Sequence, residues 1–284
     1  MRIDAHHHVW ELARHPQEWM SADERAVIGR DFATADWAAE AGPCGINSGV
    51  LVQTVADPAE TPDLLDIAAA EPGTVGVVGW VAFEGEPANA LDALLDHPHA
   101  QWLVGVRDLT DARAADGFLI TPAASHAVAA VGQRSLTLDL LVRERHLPAV
   151  AVAAYAHPGT RMVIDHLAKP DLDVLPAGEW TALMRPAAHA PNVAVKFSGF
   201  ATQVRELKSA GAQVRDYLDA ALTLFGPDRV MFGSDWPVCT VGAPYPEVVA
   251  AVEDAVGRLA DGEREAFWWG TASDWYRLDA GGRR

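Results

Sequence analysis

The stretch Arg2-Ile3-Asp4-Ala5-His6-His7-His8-Val9-Trp10 reads as an extended strand with three histidines set among Ile3, Val9 and Trp10. In a strand, alternate side chains share a face, so His6 and His8 point one way and His7 the other. Two neutral imidazoles side by side at a strand's end are half of a metal site. An affinity tag would carry more histidines and a linker, and a solvated run would not sit inside an apolar strand. Whether the pair marks a site depends on what the rest of the chain brings to the same place.

The chain repeats one pattern: an apolar run followed by a helical one. The apolar runs cover 2–10, 48–54, 75–83, 102–109, 136–142, 161–166, 193–199 and 229–235. Most are near-continuous Val/Ile/Leu segments, the composition of strands covered on both faces. Helical stretches fall at 33–41, 59–70, 86–96, 122–131, 143–155, 178–190, 213–225 and 244–259. Eight strands interleaved with about eight helices give a (β/α)₈ barrel of the TIM type, in one domain spanning 1–284. A doubly wound sheet is disfavoured because no GxGxxG follows the first strand. Residues 11–31 read as a long loop over the barrel mouth, and the aromatic segment 267–278 as a helix packed beneath the barrel.

Half of the 284 residues are hydrophobic, ample for a large core. The formal net charge of −17 argues against nucleic acid and anionic membranes as partners. The apolar runs are too short to span a bilayer and no leader pattern precedes the first strand, so a cytoplasmic location is expected. Cys44 and Cys239 match no metal spacing and read as two separate buried thiols.

In a barrel, polar groups at the carboxyl ends of the strands face the active site. Those ends carry, in order, His6 and His8, Gln53, Trp80, Arg107 and Asp108, Asp139, Asp165 and His166, Lys196 and Ser198, and Asp235. His166 and Asp235 stand out because each closes an apolar run, and a buried carboxylate such as Asp235 requires a partner. His6, His8, His166 and Asp235 together form a three-imidazole, one-carboxylate set suited to one divalent ion and a water. Asp235 would take that water's proton, with His166 beside it. Arg107 would bind a carboxylate or ring oxygen, or polarise a carbonyl. Trp19, Trp80 and Trp236 are candidate walls for the apolar face of a sugar ring, and Lys196 is a candidate for the barrel interior.

The stretches Ile3–Trp10, Val104-Gly105-Val106-Arg107, Asp139-Leu140-Leu141-Val142-Arg143, Ile164-Asp165-His166-Leu167-Ala168-Lys169-Pro170, Lys196-Phe197-Ser198-Gly199 and Phe232-Gly233-Ser234-Asp235-Trp236-Pro237 resemble the amidohydrolase superfamily. More narrowly they resemble its amidohydrolase-related branch, with lactonases for L-fuconolactone, L-rhamnonolactone and 2-pyrone-4,6-dicarboxylate. The resemblance implies a distorted (β/α)₈ barrel that hydrolyses a lactone to a hydroxy acid. It places His6, His8, His166 and Asp235 on metal or catalytic positions and Arg107 on a substrate contact. It further implies at most one metal, zinc first, in a branch where some members need none. Asp108 stands where sugar lactonases commonly have a histidine, and is expected to face the ring substituents.

Three functions follow from this reading. The leading one is a lactone hydrolase with a small-molecule substrate, as a homodimer. A metal-dependent non-oxidative decarboxylase is the alternative, disfavoured because no second cation besides Arg107 is evident for a carboxylated ring. A non-catalytic sugar-binding barrel is the third, and it leaves the recurrent polar strand ends without a purpose.

Overall fold

The computed structural model describes residues 1–278. Eight strands form one sheet: β1 (Ile3–His7), β2 (Ser48–Val52), β3 (Thr74–Gly79), β4 (Leu103–Asp108), β5 (Thr137–Leu140), β6 (Met162–Ile164), β7 (Val193–Phe197) and β8 (Val230–Phe232). They lie in sequence order and each pairs parallel to the next. The seam between last and first strand is tied where β8 ends: Asp235 N donates to His6 O at 2.8 Å and His8 N to Trp236 O at 2.7 Å. The expected TIM-type barrel is the architecture found.

The helices that cover it are α1 (Ala22–Ile28), α2 (Thr34–Ala41), α3 (Glu60–Ala70), α4 (Pro87–Leu95), α5 (Pro122–Gln133), α6 (Leu147–Ala156), α7 (Ala177–Ala188), α8 (Gly211–Phe225), α9 (Tyr245–Val256), α10 (Asp261–Glu265) and α11 (Thr271–Trp275). One expectation is corrected: residues 11–31 are not all loop, because α1 lies within them. Its start is fixed by a capping box, in which Ser21 Oγ accepts from Glu24 N at 3.2 Å and Glu24 accepts from Ser21 N at 2.7 Å. The S-x-x-E signature was present, but seven residues are too few for periodicity to reveal a helix.

Two apolar layers follow from strand alternation. Val50, Val52, Val78, Val163, Ala194 and Met231 point inward with Ile3 and Ala5, and Ala272, Trp275 and Tyr276 close the floor beneath them. The opposite strand faces, including Leu51, Val77, Leu138 and Val195, pack against the helices. The aromatic tail thus seals the barrel bottom, as its sequence indicated.

β1 departs from strict alternation, and the site depends on it. Its pairing with β2 shifts register between Asp4 and His7. Ile3 and Ala5 belong to the inner layer, yet Asp4 and His7 both meet Trp37 of α2 outside the sheet. Trp37 Nε1 donates to Asp4 Oδ2 at 3.1 Å, and the His7 ring stacks on the indole at 4.3 Å. Unbroken alternation from Ile3 and Ala5 would have sent His6 outward; the irregularity turns His6 and His8 inward instead. Among the described residues no helix is long and apolar enough to cross a membrane.

Candidate active site

The strand ends bring four of the sequence-selected side chains to one point. His6 Nε2 lies 3.2 Å from His8 Nε2, and Asp235 Oδ1 lies 3.3 Å from His8 Nε2. Asp235 Oδ1 is 3.7 Å from both His6 Nε2 and His166 Nε2. All four residues are buried. Close approach at the seam requires glycine, since a Cβ on Gly233 would lie 2.7 Å from His6 Cβ. His166 opens an unusual turn: His166, Leu167, Ala168 and Lys169 all have φ between 53° and 63°. Left-handed backbone costs non-glycine residues about 1–2 kcal/mol each, and such strain concentrates at functional sites. The turn is held by Lys169 N donating to His166 O at 2.7 Å and Trp180 Nε1 to Leu167 O at 2.8 Å.

Each imidazole is oriented from behind. His8 Nδ1 lies 2.7 Å from the Val52 carbonyl oxygen, which only accepts, so Nδ1 carries the proton and Nε2 presents its lone pair. His166 Nδ1 meets Ser198 Oγ at 2.9 Å. Behind His6 lies a buried network of two acids and two cations. Asp165 Oδ1 is 3.3 Å and Lys196 Nζ 3.0 Å from His6 Nδ1. Lys196 also contacts Asp139 at 2.5 Å and Asp165 at 3.1 Å, while Arg107 donates to Asp165 Oδ2 at 3.2 Å. Tyr276 OH reaches up from the barrel floor and donates to Asp139 at 2.8 Å. Asp139, Asp165, Lys196 and Arg107 cancel in charge, which is what allows them to be buried together.

These surroundings set the protonation states. Burial alone would raise the pKa of Asp235, but His166, His8 and Lys169 outweigh it and hold the carboxyl below its ordinary value. Burial pushes His166 down to about 4 and His6 well below the ordinary imidazole value. Burial opposes ionisation of Asp165 too, yet Lys196, His6 and Arg107 hold it well below the usual range. Burial lifts Asp139 to about 6, with Lys196 opposing. An Asp235 carboxylate beside neutral His6 and His166 is therefore the state at neutral pH. Burial likewise raises the Cys239 thiol well above its ordinary pKa, so it is not a nucleophile.

Above this floor opens a cavity of about 420 Å³ lined by His8, Arg107, His166 and Asp235, within the size range of small-molecule sites. Trp19 forms part of its wall. The other two tryptophans do not. Trp236 is buried against Phe32, with ring centroids 5.2 Å apart, and Trp80 stays outside the lining, its backbone N bonded to Thr61 Oγ1 at 2.8 Å. Asp108 also departs from expectation. Next to inward-facing Arg107 it points the other way, accepting from Arg113 Nη2 at 2.7 Å and from Thr110 Oγ1. It anchors the turn that carries Leu109, Asp111 and Ala112 to the cavity wall. Gln53 lies under Arg107, its backbone oxygen and Oε1 both accepting from Nη2.

Arg143 and Lys169 were not selected from the sequence, yet both line the cavity, Lys169 paired with Asp111 at 2.9 Å. The expectation of no cation beyond Arg107 is thereby corrected. Both follow strand ends by a few residues, and loop geometry decides where such side chains point.

The donor set fits a metal. The triangle of His6 Nε2, His8 Nε2 and Asp235 Oδ1 has edges of 3.2, 3.3 and 3.7 Å. Tetrahedral ligands at 2.0–2.1 Å from zinc are separated by about 3.3–3.4 Å, so little adjustment is needed. His6, Asp165 and His166 form a second compact group of ligating atoms.

A parallel eight-stranded barrel with imidazoles and a carboxylate gathered at its rim is the architecture of barrel hydrolases. The family model described as Amidohydrolase matches residues 3–278, and the chain belongs to that family. Among its relatives, a protein of Burkholderia multivorans (strain ATCC 17616 / 249) named L-fucono-1,5-lactonase is 34% identical, covering 98% of this chain and 96% of its own. A Burkholderia ambifaria protein of the same name is 32% identical over the same shares. A crystal structure of an amidohydrolase from Burkholderia multivorans with bound zinc superposes with a TM-score of 0.90 at 33% identity, covering 98% of this chain and 99% of that one.

Proposed function

We propose that this chain hydrolyses the ring ester of a sugar lactone to a hydroxy acid. The observation that carries the reading is the meeting of His6, His8, His166 and Asp235 within 3.2–3.7 Å contacts on a cavity floor. Two relatives named as lactonases, matched over nearly their full length, support the choice of substrate class.

Asp235 accepts a proton from the water that attacks the lactone carbonyl. The positive charge of Arg107 stabilises the developing oxyanion. Collapse of the tetrahedral species breaks the ring C–O bond, and the departing alkoxide takes the proton back from Asp235. The new carboxyl group then releases one proton to solvent. Trp19 walls the ring's apolar face. His6, His8, His166 and Asp235 would hold a single divalent ion, zinc first, which when bound lowers the pKa of water and polarises the carbonyl. The reading also takes the chain as one barrel domain acting in the cytoplasm, supported by two cysteines that form no disulfide. It includes a homodimer, supported by the exposed apolar side chains Val152 and Tyr155 on the charge-free helix α6.

Proton release at pH 7 across aldonolactones that differ at C-4 and C-6 tests the function, with and without a chelator. Wild type is expected to turn over at least one of them, and Asp235→Asn to lose roughly 10²–10⁴-fold in kcat. No turnover on the whole panel, with or without added zinc, or full turnover by Asp235→Asn, rejects it. Calorimetric titration of metal-stripped protein with zinc is expected to give one site per chain, weakened in His8→Ala; no binding would remove zinc from the reading.

A further inference from the structure

Beyond His8, the segment between β1 and α1 lends Trp19 to the cavity wall, and the wall depends on what holds that ring. Trp19 is 42% exposed, so packing alone does not fix its ring. Its indole Nε1 instead donates to Gln17 Oε1 at 2.7 Å. Gln17 is 1% exposed, an unusual burial for an amide in a surface excursion. Its Nε2 donates to the His15 backbone oxygen at 2.9 Å, which fixes the amide's orientation and leaves Oε1 facing the indole. His15, itself buried, is clamped between two carboxylates: Nε2 lies 2.7 Å from Asp63 on α3 and Nδ1 3.3 Å from Asp57. From the other side, Arg25 of α1 donates to the Gln17 backbone oxygen at 3.0 Å.

We propose that Gln17 is a positioning residue for substrate selection: with His15 it forms a relay that locks Trp19 against the cavity as the surface that recognises the apolar face and exocyclic carbon of the lactone. The inference rests on the lactone reading and deepens it, since the relay acts on binding and leaves the chemistry at Asp235 untouched. A buried amide with both ends engaged is costly to assemble in a loop, and among the described residues its side-chain oxygen accepts from the indole that lines the cavity.

The test compares wild type with Gln17→Met, which keeps length and removes both hydrogen bonds, and with Trp19→Phe, which cuts the same bond at a half-exposed position where folding is not at stake. Two aldono-1,5-lactones differing only by an exocyclic methyl serve as probes. Each single variant is expected to raise KM for the methyl-bearing lactone roughly two- to tenfold, the worth of one neutral hydrogen bond, with kcat within about twofold. Preference for the methyl-bearing lactone should fall with it. In the Trp19→Phe background, Gln17→Met should add nothing to KM, whereas a merely structural role for Gln17 would add its full effect there. Hydrogen exchange provides a readout without substrate: residues 14–20 should exchange faster in Gln17→Met while the strands are unchanged. Unaltered KM and unaltered exchange in both variants overturn the relay, as does full additivity. If wild type turns over neither lactone, the lactone reading fails, and the exchange result alone then decides the relay.

Discussion

Asp4 is buried in the barrel seam, and its replacement offers a sharp test of how the site is held. Its Oδ1 accepts from His6 N at 3.2 Å and Ser234 N at 2.8 Å. Its Oδ2 accepts from Ser234 Oγ at 2.5 Å, Trp37 Nε1 at 3.1 Å and Tyr245 OH at 3.2 Å. One carboxylate thus joins β1, the exit of β8, α2 and α9. Burial raises its pKa above the ordinary value, with the hydrogen bonds opposing, so the buried charge itself brings no net gain. What matters is the pattern of acceptors. Asp4→Asn can keep Oδ1 on its two backbone donors and turn its NH₂ toward the three others. The hydroxyls of Ser234 and Tyr245 can rotate to accept, but the Trp37 indole only donates. One orphaned donor predicts a loss of about 1–3 kcal/mol. Asp4→Ala strands three N–H groups, of His6, Ser234 and Trp37, and by the same figure loses roughly 3–9 kcal/mol, comparable to the whole stability of many domains. Urea unfolding followed by circular dichroism at pH 7 reads both variants. Equal destabilisation by Asn and Ala, or an Asn variant within about 0.5 kcal/mol of wild type, would refute the acceptor argument.

The network behind His6 should be as sensitive. Lys196→Met leaves Asp139 and Asp165 with a single cation and is expected to cost about 3–5 kcal/mol in the same unfolding assay, partly recovered in the double variant with Asp139→Asn. A wild-type midpoint for Lys196→Met would contradict the charge balance. For the pH dependence of kcat/KM, Asp235 is already ionised and His166, pushed down to about 4, already neutral well above that pH. The profile is therefore expected to fall as the pH drops toward 4, where His166 takes up a proton, and a limb near 6 would report Asp139 behind His6. A limb near pH 7 would place the controlling proton on another group.

Much of this molecule was legible before its structure. Eight near-continuous apolar runs fixed the number of strands and their burial on both faces, because only strands covered on both sides tolerate such composition. Polar residues ending those runs marked the rim, and His6, His8, His166 and Asp235 were picked out for this reason. At β4 the reading from the sequence missed what strand parity implies: Arg107 faces inward, while Asp108, expected at the ring substituents, faces outward into Arg113 and Thr110.

Tertiary structure decided the rest. The register shift in β1, where Asp4 and His7 pack on Trp37, turns both His6 and His8 inward and leaves His7 outside. The left-handed turn at 166–169 carries Lys169, five residues past the end of β6, back to the cavity. Trp19, Trp80 and Trp236 look alike as sequence, yet only Trp19 lines the cavity, since a ring's direction depends on the partners its loop meets. The sequence thus determined which residues could reach the rim through the two-residue period of a strand. Bulges, loop conformation and buried hydrogen bonds lie outside that period, and they settled which of those residues meet.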